Sequence, residues 1–498
     1  MRCLLLKLAS TIAAFFVIFN DFDEMTSLKA RTAQNILRLV ANARLSCPHH
    51  SNCADSNHFE PLIRKNSTDG HTCDYAFEMI SSTLRFGQGV TAEIAHDVKQ
   101  LRSKKPLVIT DKNVAKTRAF TEVAGSFSRN GVEYKVFDNV LCEPSEKSMV
   151  EAVEFAKSGQ FDCFIAVGGG SVIDTTKAAA LYSSNLDADF LDFVQPPFGR
   201  GIMPTNPMKP LIAVPTTAGT GSETTGVSIF DLPEKECKTG IRLRAIKPLL
   251  AIVDPLNVMS MPRNVAIYSG FDVLCHALES YTAKPYTERG PRPNTPAERP
   301  VYQGSNPISD VWVREALRII TKYFRRAVFN PDDAEARTHM MMASSFAGMG
   351  FGNAGVHLCH GLSYPISSQG KKYVDPDYDS NKPLIPHGLS VVTTAPADFI
   401  FTTPAYPQRH LEAANLLGAD LPSTASEDLI ANRLADLIRG YMQDYKVPNG
   451  LGDLGFDRRD VDKLADRAAA SLKKGAIAPR DPDVDALSQI YEKSLSCY

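Results

Sequence analysis

Cys163-Phe-Ile-Ala-Val-Gly-Gly-Gly-Ser-Val-Ile-Asp174 is the stretch on which the fold turns. A short apolar run, Cys163 to Val167, meets three glycines at once, the pattern of a fully buried strand ending in a tight turn. Residues 172–182 then take helical spacing. Working toward the N-terminus, Pro106-Leu-Val-Ile-Thr-Asp111 is a second apolar run that ends in a polar turn, and residues 133–140 predict a further strand. Between these runs, residues 146–158 place Met149, Val150, Val153 and Phe155-Ala156 on one helical face. Toward the C-terminus, residues 211–214 and 250–253 are apolar strands. Strands alternating with helices predict a parallel, Rossmann-like sheet whose ligand crevice lies at the strands' C-terminal ends.

After Pro262 the period changes. Residues 314–324, 339–346 and 429–441 follow helical spacing, and strand alternation is absent. A domain boundary is expected near Arg263. The division is a leader and linker over 1–70, a nucleotide-binding α/β domain over 71–262, and an all-helical domain over 263–498. Residues 284–307 and 370–386, rich in Pro and polar groups, are expected to be long loops.

The composition is that of an ordinary soluble protein, with 44% hydrophobic and 22% charged residues among 498. Lys and Arg number 54 against 56 Asp and Glu, so the basic excess of a general nucleic-acid binder is missing. The 10 cysteines lack the dense spacing of a disulfide framework. The cluster Cys47-Pro-His-His-Ser-Asn-Cys53, with His58 and Cys73, matches no standard zinc spacing. The apolar run from Cys3 to Phe19 is broken by Lys7 and is short for a membrane span, so stable membrane insertion is not expected. Met25 to His50 carries no acid, while Lys29, Arg31, Arg38 and Arg44 are interspersed with Ser and Thr. That is the composition of a mitochondrial presequence, so import into the matrix is expected. Residues 1–24 are then an alternative or misassigned extension ahead of a start at Met25.

Glycines between a strand and a helix let the backbone approach a phosphate, and the helix N-terminus offers free N–H groups and a partial positive charge. Gly168, Gly169, Gly170 and Ser171 are the candidate contacts. A tight turn without a ligand fits the same residues, because neither the Gly-x-Gly-x-x-Gly nor the Walker pattern is present. Asp111 at a strand end can accept from a ribose hydroxyl and repel a 2′-phosphate, favouring NAD over NADP; capping a turn is its plainer role. Pro215-Thr-Thr-Ala-Gly-Thr-Gly-Ser-Glu-Thr-Thr225, dense in hydroxyls, can wrap a polar cofactor or be an ordinary turn.

In the helical half, Asp272 and His276 stand i and i+4 and share a face. His357 and His360 are i and i+3, and His387 follows in Pro-His-Gly. One carboxylate with neutral imidazoles suits iron or zinc better than calcium or magnesium. His339, alone in its helix, is expected to be structural.

Together these segments resemble the iron-containing alcohol dehydrogenase family. The likeness runs from about Tyr75 to the C-terminus through Thr110-Asp111, Gly168 to Asp174, Pro215 to Glu223, Asp272-x-x-x-His276, His360-Gly361 and Pro386-His387-Gly388. The resemblance implies a dehydroquinate synthase-like architecture with the active site in the cleft between its two halves. It implies one Fe2+ (or Zn2+) held by Asp272, His276, His360 and His387. It also implies NAD held by Asp111, Gly168, Gly169, Gly170, Ser171, Asp174, Thr216, Thr217, Thr220 and Ser222. Within the family the likeness is greatest to a mitochondrial branch that passes hydride from 4-hydroxybutyrate to 2-oxoglutarate through tightly bound NAD. Small hydroxyacid and oxoacid substrates, and assembly as a homo-oligomer, are the corresponding expectations. An ordinary NAD-dependent alcohol dehydrogenase and a dehydroquinate synthase-like lyase are the alternatives. Many members carry a second His four residues after the ligand matching His360; here that position is Tyr364, which can still carry a proton, with His357 as the other candidate. Acidic substrates require a cation in the cleft, and Arg289, Arg292, Arg299, Lys371 and Lys372 in the two loops are the candidates.

Overall fold

The computed structural model describes residues 74–370, 372–378, 383–472 and 477–498. The expected leader, the Cys47-to-Cys73 cluster and Lys371 lie outside them. Six strands form one parallel sheet: β1 (Thr83–Phe86), β2 (Pro106–Ile109), β3 (Lys135–Phe137), β4 (Cys163–Gly168), β5 (Leu211–Pro215) and β8 (Leu250–Val253), in the order β1-β8-β5-β4-β2-β3. The helices α1 (Ile94–Gln100), α2 (Arg118–Asn130), α3 (Glu146–Gly159) and α4 (Gly170–Ser184) cover its two faces. Both faces of β4 are dry. Phe164 and Ala166 enter one apolar cluster, and Cys163, Ile165 and Val167 enter the other. That explains the unbroken apolar run in a parallel strand. The strand expected over 133–140 is shorter, Lys135–Phe137, because it is an edge strand whose register meets only Leu107, Val108 and Ile109 of β2.

A second, two-stranded antiparallel sheet was not anticipated from the pattern. It pairs β6 (Val227–Leu232) with β7 (Cys237–Arg242), Asp231 standing opposite Lys238. Its strands are short, and Gly240 and the charged Asp231, Lys238 and Arg242 interrupt the apolar alternation.

From Arg263 onward, nine described α-helices form the second half: α5 (Arg263–Thr282), α6 (Pro307–Phe329), α7 (Ala334–Ala354), α8 (Leu358–Ser368), α9 (His387–Thr402), α10 (Pro407–Leu416), α11 (Glu427–Tyr445), α12 (Arg458–Ser471) and α13 (Val484–Lys493). Helix α5 is buried on every side from Gly270 to Thr282, so it is the core of this half rather than an amphipathic cover. The two halves meet at glycines. A Cβ on Gly221, whose φ is +57°, would lie 2.6 Å from Gly348 Cα in α7. Beside it, Ser345 of α7 donates to the buried Glu223 at 2.8 Å. The 284–307 loop is pinned rather than free. Its Gln303 and Gly304 N–H groups donate to the carbonyls of Asn353 and Ala354 at 2.7 and 2.9 Å.

Gly388 shows how packing seats a functional residue. A Cβ there would fall 1.9 Å from the Tyr268 carbonyl oxygen, so α9 lies backbone to backbone on α5 directly after His387. Gly388→Ala is expected to cost about 1–3 kcal/mol by overpacking and to withdraw His387. Denaturant unfolding and metal content after dialysis check this; wild-type values for both would show that the contact does not seat His387.

Candidate metal and nucleotide site

Three segments distant in the chain converge on one carboxylate. Oδ1 of Asp272 lies 3.6 Å from Nε2 of His276, 3.3 Å from Nε2 of His360 and 3.6 Å from Nε2 of His387. Helix α5 supplies the first two residues, α8 supplies His360, and the first residue of α9 supplies His387. Metal–ligand bonds near 2.1 Å in a tetrahedron place ligand atoms about 3.4 Å apart. Donor atoms of Asp272, His360 and His387 all lie within 4.8 Å of one another, as ligands of one ion would, while His276 approaches Asp272 but stands outside that group of three. Asp272, His276 and His360 are buried, whereas the His387 side chain is 27% exposed toward the cleft. The His276 ring is sandwiched between Phe351 and His360, with centroids 3.9 and 4.4 Å away. Burial pushes His276 down to about 3, keeping it neutral as a ligand must be. Burial opposes charge on Asp272, yet His276 and His387 hold its carboxyl well below the usual range.

Glu279 belongs to this site, and sequence analysis missed it. It lies seven residues after Asp272 on the same face of α5. It bonds Nδ1 of His360 and accepts from the backbone N–H of His357 at 2.8 Å and of His360 at 3.3 Å. A carboxylate behind a ligating imidazole fixes its tautomer and raises its basicity. The i, i+4, i+7 spacing of Asp272, His276 and Glu279 was the available signal.

The nucleotide side is built on the turn after β4. Helix α4 starts at Gly170 with Gly169 as N-cap, no side chain caps it, and no acid stands in its first turn. The N–H groups of Gly170 and Ser171 are therefore open to an anion, while those of Val172 and Ile173 donate to the Gly169 carbonyl. A Cβ on Gly169 would meet the Thr217 side chain at 3.0 Å, and one on Gly170 would meet Thr220 at 2.6 Å, so both glycines are required by the adjoining loop. Gly168 closes β4, and its carbonyl accepts from the N–H of Thr216 at 3.1 Å. Ser171 lines the cavity, and its Oγ accepts from the N–H of Glu143 at 3.2 Å.

Other expected contacts are already engaged within the protein. Asp174 accepts from Ser222 Oγ at 2.5 Å and from the Ile229 N–H at 2.8 Å. Beneath them Lys177 donates to Ser222 Oγ at 2.7 Å and to the Val227 carbonyl at 2.7 Å. Asp174 and Ser222 thus tie α4, the threonine-rich loop and β6 together while lining the cavity. Asp111 caps a turn, its Oδ1 accepting from the N–H groups of Asn113 and Val114 at 2.8 Å.

One cavity joins both regions. Gly170, Ser171, Asp174, Thr220 and Ser222 line one side, and Asp272, His276, His360 and His387 the other. Tyr302, Phe351, Tyr364 and Lys238 complete it.

A model of the iron-containing alcohol dehydrogenase family matches residues 81–255, and one of the family's C-terminal region matches residues 297–495. The chain belongs to the iron-containing alcohol dehydrogenase family. It is 64% identical over 471 residues to the mitochondrial hydroxyacid-oxoacid transhydrogenase of Caenorhabditis briggsae, covering 95% of this chain and 100% of that one. The Bos taurus protein of the same name is 50% identical over 474 residues, with coverages of 95% and 100%. Among solved structures, a 1,3-propanediol oxidoreductase superposes with a TM-score of 0.72 at 25% identity, covering 84% of this chain and 100% of that one. The alcohol dehydrogenase from Oenococcus oeni gives 0.71 at 27%, with the same coverages.

As an iron-containing alcohol dehydrogenase family member, the chain is an iron-dependent oxidoreductase that uses NAD. Its donor set suits the metal, as one carboxylate and three imidazoles are borderline ligands. The expectations for individual side chains divide. Tyr364 reaches the cavity. His357 does not: its side chain is fully buried at the N-cap of α8, with Nε2 3.1 Å from Thr282 Oγ1, so its placement is structural. Arg289 and Arg299 clamp the buried Asp74 at 3.1 and 2.9 Å, and Arg292 and Lys372 are exposed outside the cavity.

Glu279→Gln keeps the shape but removes the charge behind His360. Metal affinity is expected to fall about 10- to 100-fold, read by competition with a chelator. Unchanged affinity would show that Glu279 does not tune this imidazole.

Proposed function

We propose that the chain passes hydride from a small hydroxyacid to an oxoacid through NAD that stays in the site, with 4-hydroxybutyrate and 2-oxoglutarate as the pair. Full-length similarity to the transhydrogenases supports this reading, and the observation that carries it is Lys238. Among the described residues lining the cavity it is the one Lys or Arg, in the cavity that also holds the candidate metal ligands. Its Nζ donates to Glu143 Oε2 at 2.5 Å and to Asp231 Oδ2 at 3.1 Å, which leaves one of an ammonium's three N–H groups for a substrate carboxylate. Of the loop cations expected from sequence, Arg289, Arg292, Arg299 and Lys372 do not line this cavity, and Lys371 lies outside the described residues.

Iron bound by Asp272, His276, His360 and His387 supplies Lewis acidity at the substrate oxygen, and NAD supplies the hydride carrier. The chain's own residues do the rest. Glu279 holds His360 in register. The open N–H groups at the start of α4 take the cofactor's phosphates. Lys238 orients the acid. Burial keeps the Tyr302 phenol protonated, and Tyr364, which lines the same cavity, is the group we assign to proton exchange with the reacting oxygen. Phe351, Val227, Ile229 and Val356 exclude water. The acid-free, Arg-bearing segment after Met25, together with relatives named mitochondrial, supports a mitochondrial matrix location. The alcohol dehydrogenases among the structural neighbours support a second reading, turnover with exchangeable NAD.

Desalted, iron-loaded protein given 4-hydroxybutyrate and 2-oxoglutarate without added NAD separates the two. Sustained formation of succinate semialdehyde and 2-hydroxyglutarate is expected. Turnover only after NAD is added, with NADH accumulating from the hydroxyacid alone, would establish the ordinary dehydrogenase. Lys238→Met should raise KM for the acids about 10- to 100-fold relative to a plain primary alcohol, the worth of a charged hydrogen bond. An equal change for both would remove Lys238 from carboxylate recognition.

A further inference from the structure

A second cavity, of about 390 Å³, lies away from the cleft, where the chain crosses from the last strand of the sheet to α5. Its volume falls in the range of small-molecule sites. Met259 and Met261 on the crossing segment and Val328 and Phe329 at the end of α6 give it apolar walls. Arg263 and Arg337 also line it, and no acid does.

Arg337 is the unusual member. It projects from the first turn of α7 and is only 2% exposed. Its Nη1 donates to the Val258 and Met261 carbonyls at 3.3 and 3.4 Å, and Nη2 to Met261 at 3.4 Å, all long bonds. Its Nε is buried with no partner. Burial alone acts on its pKa, pushing it down; no neighbouring carboxylate offsets the loss of hydration. A buried guanidinium without a counter-charge is costly, whereas capping two carbonyls needs only a neutral donor. Arg289 and Arg299, by contrast, share the carboxylate of Asp74.

We propose that this cavity is a binding site for a monocarboxylate carrying a short unbranched apolar chain. The guanidinium of Arg337, which lines the cavity and has an unpartnered Nε, is a planar donor group that matches a carboxylate. The methionine, valine and phenylalanine walls take the aliphatic tail. An inorganic phosphate would leave the methionine, valine and phenylalanine walls without an apolar partner. A dicarboxylate is disfavoured too, since its second charge would lie against apolar walls. The site is independent of the cleft and of the reaction proposed for it.

Hydrogen–deuterium exchange on the iron- and NAD-loaded protein tests this locally, with sodium hexanoate as the probe and hexanol and glutarate as controls. Hexanoate at ten times its dissociation constant should slow exchange about tenfold in peptides spanning 255–263 and 328–340, while neither control does so. Arg337→Met should abolish the protection. Phe329→Glu, at a position 57% exposed and therefore compatible with folding, should abolish it as well by placing a carboxylate at the mouth. Protection by hexanol equal to that by hexanoate, protection that survives both substitutions, or no protection in these peptides would each overturn the proposal. Slow exchange in both segments before any ligand is added, scaling with protein concentration, would show a second copy covering the cavity and would overturn it too.

Discussion

The carboxylate of Asp272 in the dry interior of α5 is the constraint around which the helical half is arranged. A buried anion must be compensated, and three imidazoles from three segments face one of its oxygens. Compensation extends a layer further out, because His360 is held by Glu279, which is itself fully buried and satisfied by two backbone N–H groups. The same helix therefore supplies a ligand carboxylate, a ligand imidazole and the acid that orients a third ligand. Burial pushes His276 and His387 toward the neutral form that a divalent metal needs, whereas the Glu279 and Asp272 carboxylates raise His360 against its burial, so that imidazole gives up a proton when an ion binds.

The sheet half supplies a matching geometry. Its glycine turn leaves a helix N-terminus uncapped toward the cavity, and the Asp174–Ser222–Lys177 network locks the loop that faces it. Close approach at Gly221 and Gly348 then lets the threonine-rich loop dock on α7, bringing the nucleotide turn and the metal ligands to opposite walls of one cavity. The small β6–β7 hairpin adds a charged corner to that cavity, where Asp231 and Lys238 are cross-strand neighbours and Glu143 reaches in from the loop before α3.

Much of this was legible because it is local. Short apolar runs named β2, β4, β5 and β8, and β4 with its glycine turn is observed where the pattern placed it; β1, whose Thr83 and Arg85 break the apolar run, was not named. Asp272 and His276 could be paired because one helical turn brings them together whatever the rest of the chain does. The presence of His360 and His387 in the same site came through family resemblance, since nothing in their spacing alone joins α8 to α9. The hairpin escaped because its short strands carry charged residues whose partners lie across the sheet rather than along the chain.

By itself, then, the sequence determined the alternating architecture, the glycine turn and the carboxylate–imidazole pair on α5, all set by periodicities of a few residues. Only the tertiary structure decided which polar groups face the cavity. It turned His357 inward onto Thr282, locked Arg289 and Arg299 onto Asp74, set Glu279 behind His360 and brought Lys238 into the cavity. The physical reason is that a buried charge takes its state and role from its partners, and those partners stand tens to hundreds of residues away until packing brings them within hydrogen-bond reach.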